Sequence, residues 1–137
     1  DPGSSVVRAA HAAGVMVVAL VGPVSPLLAL AASGLNGQNF AFVGYVPSDP
    51  AERIKKLQEL ESLALKTGQT QLFIETPYRN TALLQALLQT LQHNTRLATA
   101  SGLTLDHAIC HSDIVKNWKH SHWSLDNSIP TVFAIGR

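Results

Sequence analysis

Cysteine is almost missing from this 137-residue chain, where Cys110 stands alone. A lone thiol closes no internal disulfide, which excludes a stapled, secreted scaffold and points to an intracellular, cytoplasmic setting. Charge is scarce as well. Only 14% of residues are charged, and 10 Lys+Arg against 9 Asp+Glu leave a formal net charge of +1. No broad cationic face advertises nucleic acid. Disorder needs low hydrophobicity with high net charge, and 46% hydrophobic residues exclude it. Long apolar runs are lacking too. The longest, residues 12–21, stops at Gly22-Pro23, far short of the ~20 residues that span a bilayer. No membrane partner is expected, and no charged-then-apolar signal segment opens the chain. Gly-rich phosphate loops and the G-x-S-x-G elbow of hydrolases are absent from the sequence.

What is present is enough for one ordinary domain, which at this size buries about two-thirds of its unfolded surface. Helical and strand patterns alternate. Residues 4–13 are Ala-rich, with Ser4 or Ser5 at the N-cap and Gly14 at the end, and predict a helix. Residues 15–21 are β-branched and apolar on both faces, which suits a strand covered on two sides. Residues 23–33, closed by Gly34, predict a buried helix, and 40–46 a second strand ended by Pro47.

Residues 49–66 give the clearest helix: Ser48 or Asp49 as cap, Pro50 in the first turn, and Glu52 at the positive end. Its apolar stripe is Ile54, Leu57, Leu60 and Ala64, widened by Leu63. Arg53, Lys55, Lys56, Glu59 and Glu61 are expected mostly to face water. A strand at 71–75, a helix at 78–92 and a strand at 96–100 follow. Strands at 107–112 and 131–135 are expected as antiparallel partners, because no helix of crossover length separates them. The pattern predicts an α/β domain with a mixed sheet flanked by helices.

Six histidines and Cys110 invite a metal hypothesis. On a strand, however, Cys110 points away from His107 and His111, and His120 and His122 gain no third ligand by spacing; no metal is expected. Cys110 itself reads as a small buried thiol rather than a nucleophile. Two loops are harder to dismiss as filler. Gly22-Pro23-Val24-Ser25-Pro26 follows an expected strand and opens a helix, where free N–H groups and a hydroxyl can meet a polar ligand. Glu75-Thr76-Pro77-Tyr78-Arg79 lies at the carboxyl end of another strand, where ligands of α/β sheets gather.

These segments, in this order, resemble the tetrapyrrole (corrin/porphyrin) methylase family. The likeness starts with Asp1-Pro2-Gly3 and continues through Val21-Gly22-Pro23-Val24-Ser25 to Ala32-Ser33-Gly34-Leu35. The stretches from Phe40 through Gly44-Tyr45-Val46-Pro47, and from Phe73 through Arg79, are similar to one branch of it. That branch methylates a ribose 2′-hydroxyl of small-subunit ribosomal RNA. The branch typically carries Glu-Ser-Pro-His-Arg where this chain has Glu75 to Arg79. It also carries Ala-Arg-Glu-Leu-Thr-Lys where this chain reads Ala100-Ser101-Gly102-Leu103-Thr104-Leu105. The missing charges are ones that could meet an RNA backbone.

The resemblance implies an S-adenosylmethionine-dependent methyltransferase acting on ribosomal RNA, and a homodimer. It implies that residues 1–21 are the last helix and strand of an N-terminal domain and 22–137 the C-terminal α/β domain, the sequence being the C-terminal part of a longer protein. The family's half-site for the cofactor then falls on Val24 and Ser25, Ile74 and Glu75, Gly102 and Leu103, and Pro130 and Thr131, largely through main-chain contacts. For the proton of a hydroxyl acceptor, Glu75, Tyr78 and Asp106 are candidates, and none is singled out. A small tetrapyrrole as acceptor, or a non-catalytic dimerisation module, are the alternatives.

Overall fold

The computed structural model describes residues 3–137, so Asp1 and Pro2 of the opening motif lie outside the described residues. Five strands make one mixed sheet. They are β1 (Phe40–Tyr45), β2 (Thr70–Ile74), β3 (Arg96–Ser101), β4 (Ile109–Ile114) and β5 (Thr131–Gly136), in the order β1-β2-β5-β3-β4. β1 and β2 are parallel, and every other neighbouring pair is antiparallel. The expectation that β4 and β5 are antiparallel partners is corrected: each pairs antiparallel with β3, on its two sides, so β4 and β5 run in the same direction and do not touch as a ladder.

Among the described residues five α-helices accompany the sheet, α1 (Ser4–Ala12), α2 (Ser25–Ser33), α3 (Pro50–Thr67), α4 (Asn80–Thr90) and α5 (Val115–His120), with a 3-10 turn at Pro77–Arg79 leading into α4. The short α5 escapes the sequence pattern, since its six residues hold less than two turns of periodicity. Helix α2 covers one sheet face, where Ala29 and Leu30 pack on Leu72, Ala98, Ala100, Val132 and Ala134. Helices α3, α4 and α5 cover the other, where Leu57, Leu60, Leu83, Leu87 and Trp118 meet Phe73, Leu97, Phe133 and Ile135. Successive residues of β2, β3 and β5 therefore enter opposite cores, which is why these strands read as apolar on both faces.

Asp49 caps α3, its Oδ1 accepting the Glu52 N–H at 2.9 Å. The apolar stripe of that helix is rotated from the expected one. Leu57, Leu60 and Ala64 are buried, but Ile54 and Leu63 are exposed, while Arg53 and Glu61 are buried. The two charges tolerate burial because each is bonded. Glu61 Oε1 accepts from the Gln92 N–H and the Thr95 hydroxyl, and Arg53 is engaged at the strand ends described below.

Residues 15–21 form no strand. They are exposed, with Met16 at 84% and Leu20 at 87%. A β-branched run becomes a strand only when a neighbour takes its N–H and C=O groups, and among the described residues no strand does so. Cys110 corrects another expectation, since it is exposed rather than buried. It borders the crevice beside Ala29 and Ala32 of α2. Partial burial there pushes its thiol pKa up, away from the thiolate a nucleophile needs.

Candidate functional site

β1, β2 and β3 run in one direction and β5 against them, so three carboxyl ends and the start of β5 share one sheet edge. A cleft of about 440 Å³ opens there on the α2 side. Of the residues expected at a site, Ser25, Ile74, Glu75, Gly102, Leu103, Pro130 and Thr131 all line it. Four separate stretches of sequence thus converge. Val24 is the exposed, extended residue just before α2 and does not form part of the wall. Tyr45, Pro77, Ala100, Leu105 and Val132 complete the lining and were not foreseen. Ala100 and Val132 follow from their strand positions once the sheet order is known.

Tyr45 reaches the cleft through an irregularity. Phe42 is level with Leu72 and Tyr45 with Ile74, so β1 spends three residues where β2 spends two. This is a bulge, and Gly44 within it has φ +74°, a conformation glycine adopts without a Cβ penalty. Simple alternation from Phe42 would turn Tyr45 toward the α3 side. The extra residue turns it back to the face of Ile74, where it is 65% exposed. A glycine inside a strand pattern was the available signal.

The turn after β2 holds a buried ionic network. Glu75 is only 4% exposed. Its Oε1 lies 3.0 Å from Arg79 Nη2 and accepts its neighbour Thr76's N–H at 2.7 Å, while its Oε2 lies 3.4 Å from Arg53 Nη2. Arg79 also donates to the Tyr78 hydroxyl at 2.6 Å and to Thr76 Oγ1 at 3.2 Å. The carboxylate raises the Arg79 pKa, so that guanidinium stays charged. Both oxygens of Glu75 are thus engaged by donors of the chain itself. Tyr78 is exposed and receives the Arg79 proton donor, and Asp106 lies exposed outside the cleft lining.

The far wall is fixed by polar contacts. The hydroxyls of Ser101 and Thr131 lie 2.7 Å apart across β3 and β5. Asn80, fully buried, donates its amide to the Asp126 and Ile129 carbonyls at 3.2 and 2.9 Å and to Thr131 Oγ1 at 3.2 Å. Gly102 has φ +61°, and a Cβ there would meet the His107 ring at 3.3 Å and Ile129 at 3.4 Å. Two residues on, Thr104 takes φ +71°, which a β-branched residue adopts only under strain. Such strain gathers at functional loops. Among the described residues no three His, Cys, Asp or Glu side chains come together as a metal site. His111 instead stacks on Trp123 and meets Trp118 edge-on.

No family model matches the chain, and no curated protein matches it. Solved structures do. The methyltransferase CobJ superposes with a TM-score of 0.56 at 20% identity, over 98% of this chain and 58% of that one. A uroporphyrin-III-C-methyltransferase from Thermus thermophilus gives 0.55 at 21% identity, over 99% of this chain and 58% of that one. A uroporphyrin-III C-methyltransferase from the same organism, complexed with S-adenyl homocysteine, gives 0.53 at 16% identity, over 98% and 59%. The likeness is one of fold: a mixed sheet flanked by helices. The chain spans less than two-thirds of the length of each of these structures.

Proposed function

We propose that the chain carries the C-terminal half of an S-adenosylmethionine site in a methyltransferase, with residues 22–137 as the C-terminal domain and 1–21 as the tail of another. The observation that carries this reading is the convergence of Ser25, Ile74, Glu75, Gly102, Leu103, Pro130 and Thr131 on one cleft at the strand ends. The cleft fits such a ligand in kind. Its size lies within the roughly 300–1,000 Å³ of small-molecule sites, and Ile74, Leu103 and Val132 offer apolar walls to a flat ring. Bound there, S-adenosylmethionine would supply an activated methyl group. The chain's own residues would hold and orient it: apolar walls exclude water, Ser25 offers a hydroxyl at the rim, and the Asn80 fork keeps the start of β5 in place. Orientation is the main demand of a displacement at a methyl carbon.

For the acceptor we favour a ribose 2′-hydroxyl of small-subunit ribosomal RNA, on the residues from Phe40 to Pro47 and from Phe73 to Arg79, with the protein acting as a homodimer. A tetrapyrrole acceptor is the second reading, favoured by the names of the matching structures, two of which are uroporphyrin-III C-methyltransferases. Transfer of a labelled methyl group to small-subunit ribosomal RNA, set against transfer to a tetrapyrrole, separates the two.

The cofactor reading has its own test. Titration of the 137-residue chain with S-adenosylhomocysteine, followed by amide NMR, is expected to shift Ile74, Gly102 and Thr131. The dissociation constant should exceed ~100 μM, because the matching structures are much longer than this chain. No shift at those amides up to about 1 mM ligand would sink the reading.

A further inference from the structure

We infer that Arg53 is a positioning residue of the cleft: it ties the bulged end of β1 to the end of β2, so that Tyr45 stands at the cleft wall. This rests on the cofactor reading above. Arg53 lies on the sheet side of α3 at 7% exposure, where the helical pattern alone would put it in water. Its Nε donates to the Pro47 carbonyl at 2.9 Å and its Nη2 to the Ser48 carbonyl at 3.2 Å. The same Nη2 lies 3.4 Å from Glu75 Oε2. One guanidinium fork therefore joins the chain just after β1 to the residue just after β2.

The ladder does this only in part, since beyond the bulge it resumes at the single pair Tyr45–Ile74. Register between the two strands is regular from Phe40 to Phe42 and shifts before Tyr45. A bulge leaves its extra residue unpaired and the local ladder weakened. The left-handed Gly44 lies within this interruption, between Phe42 and the Tyr45 that it turns into the cleft. Arg53 supplies a second tie from the carbonyl side, and Glu75 anchors it because Arg79 and the Thr76 N–H hold its other oxygen. A planar, five-donor fork can serve two carbonyls and a carboxylate together, which a lysine ammonium on a flexible stem does poorly. Glu75, held on both oxygens, is the anchor.

A double-mutant cycle between Arg53 and Tyr45 tests this, read as S-adenosylhomocysteine affinity by amide NMR, with thermal melts alongside. Arg53→Met and Tyr45→Ala are each expected to weaken binding about tenfold, and the double variant to be no weaker than either alone. Arg53→Lys, which keeps the charge but loses the fork, should lie between wild type and Arg53→Met, and it carries the cycle if Arg53→Met does not fold. A merely structural arginine would lower the melting temperature without coupling to an exposed tyrosine. Additive losses, or an Arg53→Lys affinity equal to wild type, would overturn the inference while leaving the cofactor site standing. No binding by the unmutated chain would overturn both.

Discussion

Ser25 is the first residue of α2, and Val24 before it holds the cap position with no side-chain cap bond. Its hydroxyl is therefore spare for the helix, while the residue itself lines the cleft. Removing a working cap costs about 1 kcal/mol, and Ser25→Ala should cost clearly less. A bulky Ser25→Trp should leave the melting temperature near that of wild type, since the position is exposed, yet weaken cofactor binding by filling the cleft. In a full-length enzyme the same change should appear as a raised KM for S-adenosylmethionine. A well-folded Ser25→Trp enzyme with unchanged KM would take this turn out of the site. Arg53 and Glu61 show the opposite case, charged residues whose burial no local pattern announces. The carboxylate facing Arg53 lies 22 positions away and the donors to Glu61 lie 31 and 34 away, so burial of both waits on the folded chain.

Two glycines shape the elements around the cleft, and their surroundings predict different costs. Gly44 in the β1 bulge has φ +74° and open space where a Cβ would go. Gly44→Ala should therefore cost only the left-handed penalty, about 1–2 kcal/mol. Gly102, at the end of β3, has φ +61° and would add a Cβ at 3.3 Å from the His107 ring and 3.4 Å from Ile129. Gly102→Ala carries the same backbone penalty plus crowding, and should be the more destabilising in urea denaturation. Equal costs would mean that the 102–108 loop moves aside freely, and would count against a firm cleft wall. The α3 stripe teaches the same lesson for helices. Its period is right, but the buried arc is centred between Leu57, Leu60 and Ala64 and takes in Arg53 and Glu61 rather than Ile54 and Leu63. Periodicity gives the existence of a face, and the neighbours decide its angle.

The molecule as a whole gathers its buried apolar residues in two cores, and α1 with residues 15–21 forms the longest stretch that contributes to neither. Helix α1 buries no residue. Val15, Met16, Val18, Leu20 and Val21 are all more than half exposed. Contiguous apolar surface of this kind marks an interaction surface or an aggregation liability. Sedimentation of the 137-residue chain at about 100 μM, above a typical micromolar dimer constant, is expected to show association. Replacing Met16, Val18 and Leu20 together by Ser should reduce it without lowering the melting temperature, because no core residue changes. A clean monomer at that concentration would show that this surface stays in water unpartnered.

Much was legible in the chain itself. Alternating helix and strand patterns, the Asp49 cap, and the glycines after α2 and α3 gave the type of nine of the ten expected segments, with residues 15–21 failing because a strand is defined by a partner that sequence does not name. Seven of the eight residues that the family resemblance implied line the cleft, and each lies at or beside a strand end or a helix start. Local signals are silent about distance. That β5 inserts between β2 and β3, that the bulge at Gly44 turns Tyr45 to the cleft, and that Arg53 reaches Glu75 depend on contacts between residues far apart in the chain. The sequence determined most of the elements and roughly where they end, residues 15–21 and α5 being the exceptions. The tertiary structure alone decided which ends meet, because meeting depends on strand order, register and burial, and these are properties of pairs.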